Sequence, residues 1–334
     1  MQKYVVFLQA ETNKPHKMSF QKCFRTLFLL FVPCSLFLFV ACQSEPDETS
    51  APEGQCTISF SVTNYRQISF DDISSSASTR ATETITMDLA NLLLTVFNAE
   101  TNEMVCPAIL HKSDDYDDSP EMAKAFPQFS VSLPYGHYRV LVLGYNGSRE
   151  CNISSVNHLS WADNYVPNTF LYCEEFTLNE NTVLDQKITL KRVVSAFRVT
   201  AEDAIPQELK KMRFISSAGG TVLDAVTGFA PQITGRTSEI DIPAKKVGEQ
   251  GVEFTVYLFL PEEQTTSNYT IQALGNNDAV LCEKHFNDVP LRINYLTEWK
   301  GKAFEPSDDD SPNVQSGFNI EWDMDWAGTL SFEK

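Results

Sequence analysis

The sequence predicts an all-β chain of two β-sandwich domains, set behind a lipoprotein signal and a flexible tether. Three observations carry this. Apolar and polar residues alternate with a period of two along most of the 334 residues, which is the pattern of half-buried strands. The strand segments are short and separated by turn-rich loops, as in sandwiches. Long amphipathic helical windows are nearly absent, which argues against an alternation of helices and strands.

Taken in order, the chain opens on "MQKYVVFLQAETNKPHK", which fits neither a globular segment nor a charged leader of usual length. Met18 begins a leader of ordinary proportions, so Met18 is the expected true start. Lys22 and Arg25 precede the apolar run "TLFLLFVPCSLFLFVAC", which ends in Ala41 and Cys42. A basic start, an apolar run and a small residue before cysteine describe a bacterial lipoprotein signal over residues 1–41. Cleavage before Cys42 exposes its thiol to a diacylglycerol and its amino group to an acyl chain such as palmitate, anchoring the protein without spanning the bilayer. Pro33 interrupts the run, which falls short of the roughly 18 clean residues that a spanning helix needs.

Removing residues 1–41 takes away five basic residues and one acidic residue, moving the formal charge from −18 to −22. Such acidity argues against a nucleic-acid partner and against a basic membrane-binding face. The lipid is then the membrane attachment. Residues 42–55 are polar, acidic and Pro-containing, and read as the tether. An apolar fraction of 43% is enough for packed cores.

From residue 56 the strands begin. In "CTISFSVT" Cys56, Ile58, Phe60 and Val62 alternate with polar partners, and "QFSVSL" repeats the pattern with Phe129, Val131 and Leu133. Further strands are predicted at 92–98, 137–145, 169–178, 183–190, 193–200, 212–216, 252–260, 269–274, 279–284, 291–304 and 318–323. Short helices are predicted from Ser119–Pro120 to Phe126 and from Pro206 to Met212. A boundary near Lys191 divides the chain into a 56–190 sandwich and a 191–334 sandwich.

The search for chemistry finds no nucleophile elbow, metalloprotease helix, dinucleotide turn or P-loop. No catalytic residue, cofactor or metal ligand is assigned, and the chain reads as a non-enzyme. His111, His137, His158 and His285 are scattered. The acidic stretches 111–120 and 307–313 lack the alternating ligands, central Gly and closing Glu of a calcium loop, and read as solvated loops. Of the eight cysteines, five follow the lipidated one: Cys56, Cys106, Cys151, Cys173 and Cys282. They read as small buried hydrophobes, with a Cys151–Cys173 disulfide as the alternative. Trp299 and Trp322 lie in strand patterns, whereas Trp161 in "NHLSWADNY" is the candidate ligand contact, with a glycan as its ligand. Arg80, in the polar loop "SSSASTRATET", is a candidate point of proteolytic processing.

Four segments in order, "LTVFNAETNEMV", "FSVSLPYGHYRVLVLGYNGS", "ITLKRVVSAFRVTAEDAIPQELKKMRF" and "VPLRINYLTEWKGKAF", resemble the fimbrillin superfamily of Bacteroidales, especially its anchor and accessory subunits. The resemblance covers roughly residues 56–326, through the order and character of segments. It implies transthyretin-like sandwiches, lipid export to the outer face of the outer membrane, and partnership with fimbrial subunits by β-strand complementation. It implies an anchor, cap or accessory subunit in assembly and adhesion. A surface glycan-binding lipoprotein is the alternative, and a polymerising fimbrillin cut after Arg80 is the second. Within these segments Gly136 is expected at positive φ, and Arg192 is expected to open the first strand of the second sandwich. Arg292, Asn294 and Thr297 are expected along one strand.

Overall fold

Among the described residues, alternation along the chain becomes eighteen strands in four sheets. The computed structural model describes residues 55–65, 89–116, 124–305 and 328–330. The first half supplies β1 (Gln55–Tyr65), β2 (Asn91–Asn98), β3 (Met104–Lys112), β4 (Gln128–Pro134), β5 (Gly136–Tyr145), β6 (Cys151–Ser155), β7 (His158–Trp161), β8 (Thr169–Leu178) and β9 (Asp185–Arg192). The second half supplies β10 (Ser195–Ala201), β11 (Lys211–Ser216), β12 (Val222–Leu223), β13 (Arg236–Asp241), β14 (Val252–Leu258), β15 (Gln264–Leu274), β16 (Val280–Arg292), β17 (Tyr295–Gly301) and β18 (Gly328–Leu330). The expected all-β class is the observed one.

The seven-stranded sheet runs β3-β2-β5-β8-β9-β1-β4. Only the pairs Phe170–Arg192 and Leu171–Lys191 join β8 to β9, so the sheet turns a corner there. It folds into two layers, β4-β1-β9 over β3-β2-β5-β8. Ile58, Phe60 and Val62 of β1 meet Leu92, Leu94 and Val96 of β2 in one buried cluster between the layers. The other faces of β2 and β5 are buried too, since Leu93, Phe97, Leu141, Leu143 and Tyr145 belong to a second cluster. Burial on both faces explains why "LLLTVF" and "VLVLGY" read as nearly continuous apolar runs and not as alternation. Each such side chain contributes roughly 1.5–3 kcal/mol on leaving water.

The second half forms a sandwich of β14-β10-β17-β18 over β13-β11-β15-β16. Phe197 and Val199 of β10, Phe254 and Val256 of β14, and Trp299 of β17 meet Phe214, Tyr269, Ile271 and Phe286 across the interior. A three-stranded sheet, β12-β7-β6, draws strands from both halves. Its cluster likewise mixes Leu159 and Trp161 with Ala196, Leu223, Phe259 and Leu296.

Several local expectations change. Pro206 to Met212 holds no helix. The Lys210 N–H donates to the Leu274 carbonyl at 2.8 Å and its carbonyl accepts from Ile242 at 2.8 Å, so this backbone is already committed to the sheet. Of the other predicted helix, residues 117–123 lie outside the described residues. The predicted strand 291–304 is two, β16 and β17, turning at Asn294 with φ 63°, a conformation that Asn tolerates. Arg292 and Thr297 therefore sit on different strands. Gly136 does not have a positive φ. Its role is space, because a Cβ there would meet the Tyr138 hydroxyl at 3.0 Å and the ring at 3.1 Å. Arg192 closes β9 and does not open β10. Unpredicted strands include the edge strand β3, which carries Pro107 at a register shift in its pairing with β2, and β13, whose mixed polarity hid it. The predicted strand 318–323 and the acidic stretch 307–313 lie outside the described residues.

Candidate functional site

Two sheet edges leave the candidate site between them. β13 ends one sheet of the second sandwich and β14 ends the facing one. A groove of about 610 Å³ lies between these edges, lined also by Arg149, Asp163 and Tyr165 from the first half. That volume suits a peptide segment or a sugar.

Arg236 of β13 lines this groove. In "RTSEIDI" it shares the inward phase with Ser238, Ile240 and Ile242, so alternation carries a guanidinium inside. It is 9% exposed. One terminal nitrogen donates to the Tyr257 carbonyl of β14, tying the two edges together. Its Nε has no hydrogen-bond partner among the described residues. Burial pulls its pKa down to about 10, opposed by Tyr269 and Tyr165 and reinforced by the like charge of Arg149. Arg149 lies over the Tyr165 ring at 4.9 Å and 3.3 Å from Asp163.

The carboxylates of the groove are already engaged. Glu239 accepts from Lys211 at 2.8 Å and Arg213 at 2.7 Å, and these bonds lower its pKa. Glu253 pairs with Arg198 at 3.3 Å. The result is a groove of mixed polarity with one buried cation, Arg236, on which no carboxylate among the described residues acts. Such an arrangement can bind and orient an anion. No nucleophile and base are brought together in it.

Trp161 is not a surface platform. It ends β7 at 4% exposure, with Tyr145 edge-on at 5.5 Å and Phe259 stacked at 5.7 Å. Apolar neighbours on three sheets fill the space that a ligand contact needs. Cys42 and Arg80 lie outside the described residues, as does Trp322. Among the described residues no group of three or more His, Cys, Asp or Glu could hold a metal ion, and no helix is long and apolar enough to cross a membrane.

All five described cysteines are free, including Cys151 and Cys173. Burial pushes both thiols up to about 12. At pH 8 their thiolate fraction is then about a thousandfold below that of an ordinary thiol. A thiol-labelling time course on the native protein should show both reacting at roughly that slower rate, with fast labelling only after unfolding. Rapid native labelling of either would contradict their burial.

Sequence reasoning missed the groove. Its one readable signal was Arg236 on the apolar phase of a strand, a position where charge is uncommon. Arg149, Asp163 and Tyr165 reach it only through the fold.

The fold defines a class: an all-β protein of stacked sandwiches. The chain belongs to the family of unknown function DUF6562, whose model matches residues 162–331. No curated protein matches it. Similar solved structures include a putative adhesin from Bacteroides ovatus, at 10% identity and TM-score 0.41, covering 75% of this chain and 88% of that one. Another is the fimbrial anchor protein Mfa2 from Porphyromonas gingivalis, at 12% identity and TM-score 0.33, covering 69% and 82%. A third comprises putative polysaccharide binding proteins from Bacteroides thetaiotaomicron, at 9% identity and TM-score 0.39, covering 68% and 79%.

Proposed function

We propose that this protein is a lipid-anchored surface protein of the outer membrane that serves as an anchor, cap or accessory subunit of a fimbrium. The single observation that carries the reading is the signal ending at Cys42, followed by a short acidic tether into the first strand. The ordered resemblance of the four segments to fimbrillins supports it. Attachment is through acyl chains and the role is binding, not catalysis. Its partners are other fimbrial subunits, met by β-strand complementation. The division into 56–190 and 191–334 sandwiches belongs to this proposal, with the two sharing a core through β12.

The fate of β1 separates an anchor from a polymerising subunit. β1 pairs antiparallel with β4 from Gln55–Pro134 to Ser61–Gln128, and parallel with β9 from Ser59–Asp185 to Tyr65–Leu190. Cleavage after Arg80 would strip this strand from the middle of its layer. An anchor keeps both its lipid and the strand. The glycan-binding alternative loses the residue that suggested it, since Trp161 is buried.

In cells, Cys42→Ala should leave the protein unprocessed or free of the membrane fraction, and the wild-type chain should begin at acylated Cys42. Mass spectrometry of the mature N-terminus decides this. A chain starting at Ala81, or the variant recovered in the outer membrane at native mass, refutes the anchor reading.

A further inference from the structure

Antiparallel pairing with β10 sends alternate peptide groups of β14 inward and the others outward. The Tyr257 carbonyl points out, because it accepts from Arg236 across the groove. With a strand period of two, the peptide groups of Thr255 and Glu253 face the same way. The β10 register, Arg198 against Thr255 and Thr200 against Glu253, places these as the pairs that exchange no ladder bonds. No other described strand pairs with this edge. A row of unused donors and acceptors therefore lines one wall of the groove, which is the template for strand addition.

At the Tyr257 end of that row stands the uncompensated cation. Arg236 is 9% exposed with Nε unpartnered among the described residues. The charged and phenolic groups acting on it are Tyr269, Tyr165 and Arg149, with no carboxylate among them. A buried cation without a counter-charge is a liability that an incoming anion relieves. Glu253, four residues along β14, is about 13 Å away at ~3.3 Å per residue and is held by Arg198. Glu239 is held by Lys211 and Arg213. The negative groups of the groove are thus committed while its buried positive group is not.

From the open edge and the unpaired cation together, the geometry points to a peptide-binding groove: an extended segment of a partner protein adds along β14 and sets a carboxylate against Arg236 and Arg149. Main-chain bonds to Thr255 and Glu253 supply affinity and the carboxylate fixes register. Arg149 completes the site as an exposed arm, its side chain 42% exposed and its Asp163 partner 75% exposed, so exchanging Asp163 for an incoming carboxylate loses little. This deepens the strand complementation proposed above by naming an edge and a partner chemistry, and it rests on that reading only for the partner's identity, since the peptide test below reads the groove without the lipid anchor or a fimbrium.

The test uses the full-length chain in detergent and fluorescence anisotropy. The probe is a labelled Thr-Val-Thr-Glu-Thr-Val-Thr peptide, capped at both ends and matching the seven residues of β14. Saturable binding is expected. The Gln version should bind about tenfold more weakly or worse, as expected for loss of one charge-assisted bond. A version N-methylated at alternate peptide nitrogens should not bind, because it cannot add as a strand. Arg149→Ala should weaken the Glu peptide about fivefold or more while leaving the Gln peptide unchanged, and Arg236→Lys should weaken it further. Should Arg236→Lys fail to fold by circular dichroism, Arg149→Ala and the two altered peptides still decide. Equal binding of the Glu and Gln peptides overturns the proposal, as does indifference to N-methylation. So does competition by sodium glucuronate as strong as that of the unlabelled peptide, which would make this a site for acidic sugars. Absence of any peptide binding at about 1 mM also overturns it.

Discussion

Phe197→Ala should lower the unfolding free energy by about 3–5 kcal/mol, the range for truncating a buried aromatic side chain. Phe197 has no solvent exposure. Its ring lies 4.4 Å from Tyr269, 5.9 Å from Phe286 and 6.4 Å from Phe214, the last two edge-on. Those partners stand on β15, β16 and β11, so this one side chain on β10 spans the interior to three strands of the opposite sheet. Truncation loses the transfer free energy of the ring, its aromatic contacts and the packing of the cavity wall. Collapse is hindered because the neighbours are anchored on paired strands. The check is a urea titration of wild type and variant with equal slopes, and a loss below about 1 kcal/mol would show that the sandwich repacks around the gap. Phe197→Leu should recover more than half of the loss, since it restores most of the volume.

The second large effect is expected at Arg192, which is 5% exposed. Its Nε donates to the Asn168 side-chain oxygen at 3.0 Å and one terminal nitrogen to that of Asn294 at 3.2 Å. Its guanidinium also covers the Phe170 ring at 4.7 Å. Asn168 precedes β8 and Asn294 forms the turn between β16 and β17, so this fork ties the end of the first-half sheet to a turn of the second. Hydrogen bonds from a charged donor are worth roughly 1.5–3 kcal/mol each. Allowing for non-additivity, Arg192→Ala should cost about 3 kcal/mol. Arg192→Lys should recover less than half, because a single ammonium cannot reach both amides while lying flat on a ring. If Lys proves equivalent, the side chain acts only as buried bulk. Limited proteolysis adds an independent view: loss of the fork should expose the 191–194 link, and the alanine variant should be cut there faster than wild type.

Part of this protein was legible along the chain. The strands β1, β4 and β5 follow directly from alternation and from the apolar runs that border it. The apolar run that ends at Cys42 and the acidic balance are likewise local properties of composition and order. Trp161 shows where local reading stops. Its neighbours "NHLS" and "ADNY" are polar and turn-like, so it reads as a loop residue, yet Tyr145 and Phe259 close over it from 16 positions before it and 98 after it. Asn294 shows a second limit, because whether an apolar run is one strand or a hairpin depends on which partners receive its backbone.

By itself the sequence determined that the chain is all-β, that it is strongly acidic with a formal charge of −18, and which phase of each alternating strand turns inward. These depend on side-chain periodicity and charge, which act over a few residues. Only the tertiary structure decided that β2 and β5 are buried on both faces, that β12 crosses over to join β7, and that β13 and β14 stand as facing free edges. It also decided that Arg236, on an inward phase like its apolar neighbours, meets Tyr257 and Arg149 and no carboxylate among the described residues. Those outcomes depend on which sheets pack together across a hundred residues, and no local pattern of apolar and polar residues encodes the choice of partner.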